Sequence, residues 1–354
     1  MKIRLFLFIF FTLFLAGCAT VPLQQKEEVK PIFYPLPPDV PRIQFLTSFS
    51  GSQDIKEKKS RFASFIIGKD EEDLPIVKPY GLAIRGNKIY ICDTALNTII
   101  IIDMEKKSFR YFAPDGKGRL EEPINISVDK DGTKYVSDVL RGVVVIFNAA
   151  NKFSGVLAKE GGMKPTDVAI GKERIYVTDL KSNKVRVWDK AKKKFLFAIP
   201  VENTKEAKLY SPVNIALDKE GNLYVSDMGA FRVQKYDREG KFIRSFGSLG
   251  DAPGQFARPK GIALDKEDRL YVVDAAAQLV QIFDPEGKLL LFFGESQEEK
   301  FILNLPAKIR INYSLLPYFQ HFAAPSFELQ YLIFVTSQYG SHKVSVFGFG
   351  RQRQ

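Results

Sequence analysis

From Pro79 onwards, short alternating runs of apolar residues are cut by tight polar turns. The clearest stretch is Pro212 to Asp237, PVNIALDKEGNLYVSDMGAFRVQKYD. It contains three runs, IAL, LYVSD and RVQKYD, and Gly221 and Asn222 stand where the chain must reverse. Alternation over four to six residues, bounded by Gly, Asn and Asp, predicts an antiparallel meander. So small a meander cannot bury its own faces and needs neighbours of the same kind.

The chain supplies them. The pattern recurs at Pro79–Asp103, Pro123–Asn148, Pro165–Asp189 and Pro259–Asp284, with a degenerate sixth copy from Pro306. The leading prolines are 44, 42, 47, 47 and 47 residues apart. Tyr90, Tyr135, Tyr176, Tyr224 and Tyr271 mark the second strand, each followed three residues later by Asp93, Asp138, Asp179, Asp227 or Asp274. A period near 45 residues with about four strands per unit predicts an all-β fold, a six-bladed β-propeller. The unit P-x-x-[IVL]-x-[IVL]…[IL]-Y-[IV]-x-D…V-x-[IVK]-[FYW]-D resembles the NHL repeat, and the resemblance covers about Lys78 to Gly348.

A fourth strand follows each good copy, as in KFIRSFG (241–247) and KLLLFFG (288–294). The sixth copy has none after it. FLTSFSG (45–51) matches FIRSFGS (242–248) at Phe45, Ser48 and Phe49, with Leu46 opposite another hydrophobe. Residues 42–50 are therefore predicted to complete blade six and remove an open sheet edge. The expected organisation is 1–17 signal peptide, 18–41 lipidated Cys and Pro-rich tether, and 42–350 propeller. A long aromatic insertion occupies 312–330 of blade six.

The first residues pair a basic start, Lys2 and Arg4, with LFLFIFFTLFLA, an apolar run short for a membrane span. Leu15-Ala16-Gly17-Cys18 resembles the bacterial lipobox, which implies lipidation of Cys18 and a membrane anchor. Ala19 at the next position resembles outer-membrane sorting, on either side of that membrane. Six prolines between Ala19 and Pro41 predict an extended tether free of helix and sheet. Phe62, Phe65 and Ile66 have the spacing of a short amphipathic helix packed on the ring.

Formal charge is +11 over 354 residues, and +9 once Lys2 and Arg4 leave with the signal. In an exported chain this favours acidic partners over nucleic acid, or a merely soluble surface. Cys92 has no expected disulfide partner and is predicted to be a buried free thiol. With only His321 and His342, no H-x-x-x-H and no C-x-x-C-H, no metal, haem or other cofactor is expected. The Asp row is expected to accept backbone N–H groups, a role in the fold.

Two places stand out as candidate sites. The residue two after each leading proline reads Gly81, Asn125, Asp167, Asn214, Gly261 and Lys308. Asn125, Asp167, Asn214 and Lys308 are expected to form a hydrated polar rim at the channel mouth. With a single carboxylate this rim suits calcium poorly, and Asp167→Asn is expected to be silent. The second place is the insertion, with Tyr313, Tyr318, Phe319 and Phe322. Its two readings are a partner-binding surface and a cover over the blade edge. The resemblance implies a monomeric propeller acting as a scaffold for an envelope protein or glycan, as in accessory parts of envelope machinery. The alternative is a metal-dependent lactonase or esterase using the channel mouth.

The lipid anchor yields a first prediction. Cys18→Ser moves the protein from the membrane to the soluble fraction, whereas a variant that still sediments after a carbonate wash has some other anchor.

Overall fold

The computed structural model describes residues 31–36, 38–55, 73–294 and 302–353. Cys18, the signal segment 1–17, the tether as far as Lys30 and the Phe62/Phe65/Ile66 stretch lie outside the described residues.

Six sheets form a six-bladed propeller. Five are four-stranded antiparallel meanders whose strands follow chain order. The innermost strands are Pro79–Arg85, Pro123–Val128, Pro165–Ile170, Pro212–Leu217, Pro259–Leu264 and Pro306–Asn312. We number blades one to six by these strands and call the mouth where they begin the upper mouth. In blade six the strand Ile43–Phe49 pairs antiparallel with Val344–Gln352. Phe45 sits opposite Phe347, and Phe49 opposite Val344. The N-terminal strand thus supplies the missing fourth strand and closes the ring.

Two boundaries differ from the sequence reading. The Pro-rich segment is not wholly free of sheet: Phe33–Tyr34 pairs with the closing strand and adds a fifth strand to blade six. It can do so because neither residue is proline and the closing strand would otherwise be an edge. In the insertion, the second strand of blade six begins at Phe327 rather than at Tyr331. A single helical turn, Leu316–Phe319, precedes it.

The cores lie between blades rather than within them. Consecutive residues of a strand point to opposite faces of its sheet, and each face meets a neighbour. Ala83, Tyr90, Ile99 and Ile101 of blade one pack on Ile126, Val136, Val145 and Phe147 of blade two. Leu82, Ile89, Ile91, Ile100 and Ile102, on the other face of blade one, meet Leu332, Phe334 and Val346 of blade six. Such strands are buried on both faces, and every residue of Thr98–Asp103 is buried. Size follows the taper toward the axis. Ala83, Ala169, Ala216 and Ala263 occupy one equivalent position of the inner strands. At Gly81 a Cβ would lie 2.4 Å from the Ile124 carbonyl oxygen, and at Gly261 2.7 Å from that of Ala307. These two positions need glycine because adjacent inner strands approach too closely for a side chain. Cys92 is a buried free thiol between blades one and two, and burial raises its pKa well above the usual value.

Candidate functional site at the propeller axis

The Asp row fixes the backbone around the upper mouth. The Asp93 carboxylate accepts the Val77 and Lys78 amides at 2.7 and 3.0 Å, and the Ala95 and Leu96 amides of the next turn. Asp274 does the same for Ala257 and Arg258, at 2.7 and 3.0 Å, and for Ala276 and Ala277. Asp138, Asp179 and Asp227 likewise hold the segments that lead into the inner strands of their own blades. In blade six Ser337 Oγ takes this place and accepts the Asn304 amide at 3.2 Å. Asp93, Asp138, Asp179 and Asp274 tie the entry of the innermost strand to the turn after the second strand. Where that entry is Lys78 or Arg258, the carboxylate also fixes the base of a cationic side chain.

Below this collar Asn125, Asp167, Asn214 and Lys308 converge, all fully buried. Lys308 Nζ donates to Asp167 Oδ2 in a direct ion pair and to Asn214 Oδ1 at 2.9 Å. Asp167 also accepts the Val168 and Ile215 amides at 2.9 and 3.0 Å. Asn125 Nδ2 donates to the Thr166 carbonyl at 2.9 Å and reaches Asn214 Oδ1 at 3.4 Å. This corrects the expectation of a hydrated polar rim: the four side chains are buried and bonded directly to one another or to backbone. The ring is narrow enough at this level for a lysine from blade six to span to blade three. Burial, then Arg310, pull the Lys308 ammonium below the ordinary lysine value, and Asp167 opposes them. The only carboxylate of the row is thus committed to an ammonium, which sits where a metal ion would have to bind.

Above the plug lies a cluster that sequence reasoning missed. Lys260, from the inner strand of blade five, is 5% exposed. Its ammonium donates to Gln338 Oε1 at 3.1 Å and lies 5.3 Å over the Tyr80 ring. Lys78 lies 5.7 Å over the Tyr339 ring, and the Arg258 side chain is exposed beside them. Among the described residues no carboxylate forms an ion pair with Lys78, Arg258 or Lys260. Burial is the main force lowering the Lys260 pKa, to about 8, and Arg258 and Lys78 add to it. That value lies below the 10.5 of an ordinary lysine, so between about 8 and 10.5 the unfolded chain binds more protons than the folded one. This group therefore makes the protein more stable as pH rises through that window. Burial also raises the Tyr80 hydroxyl to about 12, which keeps it neutral.

The insertion lies away from this mouth. Leu315, Phe319 and Phe327 are buried in the core between blades six and one, and Phe319 meets Phe334 edge-on at 5.5 Å. Phe319 is therefore core and not a partner-facing side chain. The Tyr313 ring lies tilted 5.1 Å from that of Tyr331, beneath the Lys266 ammonium. Tyr318 and Phe322, the latter 40% exposed, border a groove of about 280 Å³ beside the closing strand. Neither histidine is at the axis: His321 rests on Phe322, and His342 bonds Ser48 Oγ at 2.5 Å.

The plug makes a sharp prediction. Asp167→Asn leaves a buried ammonium without its counter-charge and costs about 3–5 kcal/mol. Adding Lys308→Met to Asp167→Asn restores most of that loss, because the buried charge is then gone. Urea unfolding of the parent, the single variant and the double variant measures both steps. An Asp167→Asn curve that overlays the parent contradicts the role assigned to the pair.

Comparison with known proteins agrees with this architecture. A family model described as a 6-bladed beta-propeller matches residues 195–291. Virginiamycin B lyase from Staphylococcus aureus is similar at 14% identity and TM-score 0.53, over 76% of this chain and 80% of that one. A structural genomics protein of unknown function from Bacteroides thetaiotaomicron has 14% identity and TM-score 0.57, over 87% of this chain and 75% of that one. Kuenenia stuttgartiensis hydrazine synthase has 13% identity and TM-score 0.50, over 77% and 95%. At these identities the likeness establishes the fold, a six-bladed β-propeller, and nothing finer.

Proposed function

We propose that the protein is an exported, lipid-anchored binding scaffold, an NHL-type propeller whose upper mouth receives an acidic group of an envelope partner. The observation that carries this reading is Lys260, a buried cation with no counter-ion among the described residues. A buried charge is tolerated when it is paired. Here the neighbours are two more cations, two aromatic rings and an amide. A carboxylate entering the mouth would gain three positive charges and a neutral Tyr80 close by.

The surroundings favour a protein as the bearer of that carboxylate. Leu96, Leu140 and Tyr339 follow the second strands on the same face and are 37%, 68% and 51% exposed. Exposed apolar side chains beside a cationic centre suit an acidic segment that also carries apolar side chains, since covering them removes apolar surface from water. A lipid on Cys18 would hold this face near other envelope proteins. The lactonase-like alternative needs a free carboxylate at the axis, and Asp167 is already bound to Lys308.

The test uses a fluorescent peptide of glutamates interspersed with phenylalanines, followed by anisotropy against the full chain in detergent. The parent binds, and binding weakens with salt. Lys260→Met, close to isosteric and free of the buried charge, lowers affinity at least about tenfold, the equivalent of one charge-assisted hydrogen bond. Equal affinity in the parent and Lys260→Met would sink the reading.

A further inference from the structure

The opposite, lower mouth carries a second feature, independent of the first. The turns after the inner strands of blades two, three and four enclose a cleft of about 740 Å³. That volume falls within the range of roughly 300–1,000 Å³ typical of small-molecule sites. Its floor is apolar, built from Val128, Ile170 and Leu217, which end their strands half-buried.

The charge around the floor is unevenly committed. Asp129 is paired with Lys190 at 3.0 Å. Asp218 is held by Lys235 at 3.2 Å and by the amides of its own turn, Glu220 at 3.1 Å and Asn222 at 2.8 Å. Asp129 and Asp218 are thus used by the fold; the other two lining acids, Glu173 and Glu220, are exposed and form no ion pair with a described residue, so four acids face seven basic residues around the cleft. Lys130, Lys172 and Arg238 line the same cleft and are exposed, and none forms an ion pair with a described residue. Arg238 is held by its backbone, since its carbonyl accepts from the Arg174 guanidinium. Two lysines and an arginine suit a doubly charged phosphate, which offers three acceptor oxygens and two negative charges. The apolar floor beneath them suits a ligand with an apolar body rather than the bare ion.

We propose that the lower cleft is a binding site for a small phosphate monoester with an apolar body, its phosphate held by Lys130, Lys172 and Arg238 and its body laid on Val128, Ile170 and Leu217. The probe for the test is phenyl phosphate, titrated into the full chain in detergent by equilibrium dialysis, with inorganic phosphate titrated in parallel. Phenyl phosphate binds saturably, and inorganic phosphate binds at least about tenfold more weakly. Lys172→Ala combined with Arg238→Ala weakens phenyl phosphate at least about tenfold. Lys241→Ala, an exposed lysine on blade four outside the cleft, leaves it unchanged. Three results overturn the proposal: no saturation by about 10 mM, a constant that would mean under roughly 3 kcal/mol of binding; equal binding by the double variant; or inorganic phosphate binding as tightly as the ester.

Discussion

No blade of this protein can hide its own apolar surface, and the rest of the structure depends on that constraint. Each sheet is only four strands wide, or five in blade six, and both its faces are apolar. Six cores arise between neighbours, and a ring is the arrangement that leaves none of them open. Closure then requires the first strand of the fold to reach the last blade. The chain achieves this with Ile43–Phe49, whose partner strand Val344–Gln352 lies at the other end of the sequence. The same geometry crowds the axis, which is why glycine or alanine recurs on the inner strands while tyrosine and phenylalanine fill the wider space outside.

Crowding also decides the electrostatics of the axis. A charge placed there is removed from water by its neighbours, so it must be paired within the ring or supplied with a partner from outside. Asp167 and Lys308 follow the first course, each also bonded to backbone or amide groups. Lys260 has no anion beside it among the described residues, only one amide oxygen and a ring face, and the second course is the one proposed for it. The five carboxylates that end the second strands lie close by, but they are spent on backbone amides and, for Asp179 and Asp227, on Arg186 and Arg232. Through those amides they set the positions of Lys78 and Arg258.

The repeat made the fold legible in the sequence. The Tyr and Asp rows gave the period and the likeness of 45–49 to 242–246 gave the closure, because both follow from local patterns. What the sequence concealed depends on distance across the ring. Nothing in the spacing of Asp167 and Lys308 says that the side chains meet without water between them. That depends on the radius at their level. The aromatic residues of the insertion suit a core or a surface equally well, and only packing against Phe334 decides for Phe319. A signal for Lys260 was present but went unread. The residue after each leading proline reads Tyr80, Ile124, Thr166, Val213, Lys260 and Ala307, and lysine is the only charged residue among them.

The central claim is that Lys260 is a buried ammonium awaiting an acidic partner. The most direct measurement is a titration of its side chain by NMR in protein labelled at lysine Cε, with Lys260→Met to assign the resonance. The account predicts a midpoint near 8 in the free protein, set by burial and by Arg258 and Lys78, and a rise when an acidic peptide occupies the mouth. A midpoint at or above the ordinary 10.5, unmoved by the peptide, would contradict it.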